Sequence, residues 1–99
     1  MNVVVLASAL NDMLNSYRFY ERQQQGLGAY FRRSVEENVI DLKTTAGIHS
    51  KVCGYFHAQC GVFKSVIYYD IISDDVVVFA VLDGRIDPGR RNRILKRRR

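Results

Sequence analysis

Ninety-nine residues, 47% hydrophobic and 25% charged, make one domain (1–99) with a core of its own and little to spare. The longest wholly apolar run, Val76 to Leu82, is seven residues, too short to cross a bilayer, and the apolar start lacks the basic leader of a signal peptide, so the cytoplasm is the expected location and no membrane partner is expected. The net charge of +5 is uneven: residues 1–84 carry seven basic and nine acidic groups, whereas residues 85–99 carry eight basic groups and one acid, an asymmetry that suits a basic arm meeting a nucleic acid or an acidic protein.

The elements follow in chain order. The β-branched run from Asn2 to Ala7 predicts a strand, and Ser8 is the expected cap of the helix after it. Leu10, Met13, Leu14 and Tyr17 recur at helical spacing, and the polar Glu21–Gln25 stretch ends the element. Gly26–Gly28 ("GLG") reads as a short break. A second helix is expected over about 29–45, with Phe31, Val35, Val39 and Leu42 on one face; so brief a break predicts an antiparallel helical hairpin. A strand is expected from about Val52 to Val62 and another over Ser65–Ile72. Ser73–Asp75 is a turn and Val76–Leu82 a further strand, so the last two strands form a hairpin. Every position of Val76–Leu82 is apolar, which predicts a strand covered on both faces. Asp83–Gly89 is turn chemistry, with Pro88 stopping the sheet. In the basic tail at 89–99, Ile94 and Leu95 allow one short helical turn against the body. The order β-α-α-β-β-β predicts an α+β fold, a helical hairpin packed on a mostly antiparallel four-stranded sheet.

Cys53 and Cys60, if on one strand, point to opposite faces because their spacing is odd, so reduced thiols are expected rather than a disulfide. His49, Cys53, His57 and Cys60 are metal-type ligands, but their spacing fits no familiar zinc pattern and spreads them along a strand; no metal and no other cofactor is expected. Tyr17, Phe19, Tyr20, Tyr30, Phe31, Tyr68 and Tyr69 fall at helical or strand periodicity, which reads as packing rather than base stacking.

Two stretches carry a resemblance: "SYRFYERQQQGLGAYFRRSVE" (Ser16–Glu36) and "GYFHAQCGVFKSVIYYDIISDDVVVFAVLDGRIDP" (Gly54–Pro88). In order, spacing and length they resemble the RelE/ParE toxins of bacterial type II toxin–antitoxin modules, the plasmid stabilisation proteins. Members of that family show a helix ending in Tyr-Glu-x-Gln before a Gly-Leu-Gly-like break, a Phe-Pro-Tyr-x-Ile-Tyr-Tyr strand and a Val-Leu-His-x-Arg-Arg-Asp-Pro end; here these read "YERQQQGLG", "FKSVIYY" and "VLDGRIDP". The resemblance implies a toxin that arrests growth, forms a hetero-oligomer with a cognate antitoxin, and acts either by inhibiting DNA gyrase or, as RelE does, by cutting mRNA on the ribosome.

For a nuclease the resemblance places Arg85 at the arginine after the last strand, with Lys64 as a strand cation. His57 is the titrating group best suited by type, since RNA cleavage through the 2′-hydroxyl needs a base, an acid and cations for the phosphorane charge. The sequence departs from the pattern at several points: Lys64-Ser65 stands for Pro-Tyr, Asp83 for the histidine, and no Tyr or His follows Tyr69. The missing Tyr or His and the ParE-like wording of the Tyr-Tyr strand favour the gyrase-type inhibitor. For contact with a target or nucleic acid the candidates are Arg85, Arg90, Arg91, Arg93, Lys96 and Arg97. An inactive homologue that survives as a binding partner is the third reading.

Overall fold

The computed structural model describes all 99 residues, Met1–Arg99. The elements are β1 (Val3–Val5), α1 (Ala7–Gln23), α2 (Leu27–Thr45), β2 (Lys51–Val52), β3 (Tyr55–Cys60), β4 (Ser65–Ile72), β5 (Asp75–Asp83) and α3 (Pro88–Arg97). The strands form one sheet in the order β1-β5-β4-β3-β2. All neighbours run antiparallel except β1, which is parallel to β5. The fold is α+β, a helical hairpin on a mostly antiparallel sheet, but with five strands rather than four and a third helix at the end.

The extra strand comes from a turn at Cys53–Gly54. Both residues have positive φ, 53° and 80°, the backbone of a two-residue hairpin turn whose twist matches the flanking strands. Val52 thus pairs with Tyr55, and the strand expected over 52–62 is two, closed at Cys60 by a turn through Gly61–Lys64. Ser73 and Asp74, at φ 50° and 67°, form a similar turn between β4 and β5. Asp75 belongs to the strand and pairs with Ile72.

The hairpin of α1 and α2 covers one face of the sheet. Phe31, Val35, Val39 and Leu42 of α2 and Ala9 of α1 are buried with Ile67, Tyr69, Val76, Val78 and Val81. On the other face Leu95 of α3 is fully buried among Tyr55, Val66, Tyr68, Phe79, Ala80 and Leu82. The two layers explain why β5 is apolar from Val76 to Leu82: both of its faces are covered there. A bulge shifts its alternation, since Tyr68 lies opposite Ala80 and Tyr69 opposite Val78, leaving Phe79 as the extra residue.

The two helices are joined by a device that the sequence only hinted at. Gly26 takes a left-handed φ of 87°, which glycine adopts without steric cost. Gly28 lies in the first turn of α2, where a Cβ would stand 2.7 Å from the Tyr17 carbonyl oxygen; the helices approach that closely. The Glu21 carboxylate accepts from the Gly26 N–H at 2.9 Å and the Gly28 N–H at 3.0 Å. It thereby supplies an acceptor to first-turn amides that have none within the helix.

Ser8 does not cap α1. The N-cap is Leu6, without a side-chain bond, and the Ser8 hydroxyl instead donates to the Phe79 carbonyl at 3.1 Å. The reason lies in β1, which pairs only with Val76–Val78. Beyond it the edge of β5 has no strand beside it, and side chains satisfy its peptide groups. Asp12 of α1 accepts from the Val81 N–H at 3.0 Å. Arg98 donates to the Phe79 carbonyl at 3.1 Å and to both Asp12 oxygens, at 2.5 and 2.9 Å. This clasp ties α1, β5 and the end of α3 together from opposite faces of the sheet.

The tail is therefore ordered, and forms a ten-residue helix rather than one short turn. Asp87 caps it by accepting from the Arg90 N–H at 3.0 Å, and Pro88 occupies its first turn, where the missing N–H costs nothing.

Candidate functional site: a cationic notch and a basic helix

Lys64 and Arg85 are brought together where the β3–β4 turn meets the exit of β5. The Gly84 N–H donates to the Lys64 carbonyl at 2.8 Å. Gly84 is needed there because a Cβ would lie 2.6 Å from that same oxygen. The two cations line a notch of about 420 Å³ with Gln59, Cys60, Gly61, Val66 and Gly84. Arg85 is not free in it: its backbone N–H and Nε donate to Asp83 Oδ1 at 2.8 and 3.0 Å, and a terminal nitrogen to Oδ2 at 2.8 Å. These hydrogen bonds hold the Asp83 carboxyl below the ordinary carboxylate range. Asp83 thus holds the arginine in an exposed ion pair. Lys64 remains the unpaired charge of the notch.

His57 does not join them. It lies on β3 opposite Tyr68, three residues before Cys60, or about 10 Å along the strand from the notch at 3.3 Å per residue. Its Nδ1 is 2.8 Å from the Ser50 carbonyl. The titratable group the notch does contain besides its two cations is Cys60, and burial pushes that thiol up to about 11.

The other metal-type residues are dispersed as well. His49 Nδ1 is 2.5 Å from the Tyr69 hydroxyl, which also accepts from the Gly47 N–H. Cys53 is exposed in its turn and Cys60 buried at the end of β3. The aromatic residues divide. Phe31, Tyr68 and Tyr69 are buried, as periodicity predicts, whereas Phe19 and Tyr30 are exposed on the helical hairpin.

In α3 and the two residues after it the basic side chains fall into two sets. Arg98 belongs to the clasp. Arg99 is a second latch: it pairs with Asp70 at 2.5 Å, donates to the Gly54 carbonyl at 3.1 Å, and lies over the Tyr55 ring at 4.5 Å and the Phe79 ring at 5.4 Å. Tyr55 in turn donates to the Leu95 carbonyl at 2.8 Å. Arg91 is half-buried, with Nε bonded to Asn92. It lies beside Tyr68, whose hydroxyl burial pushes up and Arg91 partly draws back. Arg90, Arg93, Lys96 and Arg97 are exposed and are absent from the four ion pairs of the molecule.

The apolar stripe of α1 has a different destination from the one its spacing predicts. Leu10 is 53% and Leu14 43% exposed, because Ala9, with Ser8 and Asp12, faces β5 instead. With Val5, Met13, Tyr17, Val39 and Ile40 they line a groove of about 640 Å³ between α1 and α2, walled by Arg32 and Glu36. No helix of the molecule is long and apolar enough to cross a membrane.

In comparisons with known proteins, no family model matches the chain and no curated protein does.

Proposed function

We propose that this chain is the toxin of a type II toxin–antitoxin pair and that it arrests growth by binding DNA gyrase in the manner of ParE, without cutting RNA. The observation that carries the choice is the make-up of the notch. It offers Lys64, and Arg85 held by Asp83, but no group that exchanges a proton near neutrality, since the Cys60 thiol titrates at about 11. A site of that kind holds an anionic or polar group of a partner. It lacks the acid and base that 2′-hydroxyl attack requires. The partner surface is Arg85 with the exposed cations Arg90, Arg93, Lys96 and Arg97 of α3, and Arg91 at their margin. The exposed groove of Leu10, Leu14 and Ile40 supports a second partner, a cognate antitoxin laying an apolar segment between α1 and α2. A gyrase target places the protein in the cytoplasm.

The deciding experiment is gyrase supercoiling of a relaxed plasmid with the purified chain in excess. Inhibition is expected, and it is relieved by the product of a small reading frame adjacent to this one. Unimpaired supercoiling would refute the gyrase reading. The pairing of Lys64 and Arg85 in one notch favours a RelE-like mRNA endoribonuclease as the second reading. Cleavage of mRNA in a translation extract, abolished by Arg85→Ala, would establish it. A chain that fails both assays and is harmless on expression is an inactive homologue.

A further inference from the structure

We infer that the outer ridge of α3 binds duplex DNA through its phosphate backbone, independently of base sequence. At 100° per residue, Arg90, Arg93, Lys96 and Arg97 fall within an arc of about 120°. That arc lies opposite the buried Leu95. Arg90 to Arg97 spans about 10 Å of helix axis, comparable with the three steps between four successive phosphates of one strand, at about 3.4 Å of axial rise each. These four cations have no acidic partner, while the acids that do face α3 are already taken: Asp12 by Arg98, Asp70 by Arg99, and Asp87 by the helix cap. The ridge is rigid because its inner face is fixed by Leu95 and by both latches, so little ordering is left to be done on binding. Residues 1–84 carry a net negative charge, which confines a polyanion to this side.

The neighbouring surface selects the duplex over a single strand. Sequence-tolerant binding of single strands relies on exposed aromatic rings for base stacking. On this face Tyr55, Tyr68 and Phe79 are buried. The exposed rings, Phe19 and Tyr30, belong to the hairpin on the opposite side. A ten-residue helix with a cationic outer face fits the major groove of B-form DNA, whereas the A-form RNA groove is too narrow and deep to admit it.

The test is fluorescence anisotropy with a labelled DNA duplex of about 20 base pairs, titrated at salt concentrations from about 50 to 200 mM. Four phosphate contacts predict a log–log slope near −3.6, or about a 150-fold loss of affinity over that range. Arg93→Gln with Lys96→Gln should halve the slope and reduce the loss to about 12-fold; Arg90→Gln with Arg97→Gln should do the same. Arg33→Gln, an exposed cation on α2, should leave it unchanged. Circular dichroism of each variant checks that the fold is retained. Absence of binding at about 50 mM salt, an unchanged slope in both double variants, or equal affinity for single-stranded RNA of the same length would each overturn the proposal. The measurement contains no gyrase, so its failure and that of the gyrase reading are separate results.

Discussion

Replacing Arg98 with alanine should destabilise the whole domain, although the residue stands next to the end of the basic tail. In the folded chain its guanidinium makes two bonds to Asp12 and one to the Phe79 carbonyl. The two side chains are only 18% and 11% exposed. Truncation leaves the Asp12 carboxylate in a mostly dry setting with the Val81 N–H as its remaining donor. Removing one partner of a buried pair costs about 3–5 kcal/mol. The low end, about 3 kcal/mol, applies because Asp12 keeps Val81 and the Phe79 carbonyl keeps the Ser8 hydroxyl. For a domain of this size that corresponds to a fall in melting temperature of about 12–15 °C. Urea denaturation followed by far-UV circular dichroism gives the free energy, and a double-mutant cycle with Asp12→Ala gives the coupling. Coupling above about 2 kcal/mol is expected. A loss below about 1 kcal/mol for Arg98→Ala, in the range of a surface pair, would refute the reading of the clasp as a structural tie.

Three further outcomes follow from the same geometry. Gly84→Ala should open the notch and destabilise the fold, because the new Cβ meets the Lys64 carbonyl oxygen at 2.6 Å, a backbone atom that cannot swing aside; unchanged stability and an intact hydrogen bond from the amide at position 84 by hydrogen exchange would contradict this. Iodoacetamide at pH 8 should label Cys53 and spare Cys60, whose thiol is buried and pushed up to about 11; equal labelling of both by mass spectrometry in the native state would show that β3 is not closed as described. Burial alone would raise the Asp70 carboxyl, but Arg99, the Ile71 N–H and Lys51 outweigh it and hold the group below its ordinary value. The stability that Asp70 contributes is therefore complete above the unfolded aspartate range, near pH 4, and is lost as the pH falls through its depressed value. Asp70→Asn should flatten the decline of stability in acid; a parallel decline in the variant would exclude the Arg99 latch as its source.

Particular residues mark how far the sequence could be read. The periodicity of Phe31, Val35, Val39 and Leu42 identified the buried face of α2, and the unbroken Val76–Leu82 run identified a strand covered on both sides. Each signal is local, because a face buried against a flat sheet repeats at the period of its own element. The turn at Cys53–Gly54 was missed because cysteine carries no turn preference, and the pairing of Val52 with Tyr55 is what imposes its positive φ. Leu10 and Leu14 carried a true helical period, yet the period cannot tell a stripe facing the core from one lining an open groove. Of the candidate site, Lys64 and Arg85 were brought together and His57 was left apart; residue type gave no distance between them.

The sequence by itself determined the α+β class, the helical hairpin, the strand hairpin and the concentration of positive charge after residue 84. Those depend on spacing and composition within single segments. Only the tertiary structure decided what that charge does. Arg98 and Arg99 are consumed by Asp12 and Asp70, partners 86 and 29 residues away, while Arg90, Arg93, Lys96 and Arg97 stay free. The difference arises because a cation's role is set by the acid that the fold places against it, and contacts across so many residues leave no periodic trace along the chain.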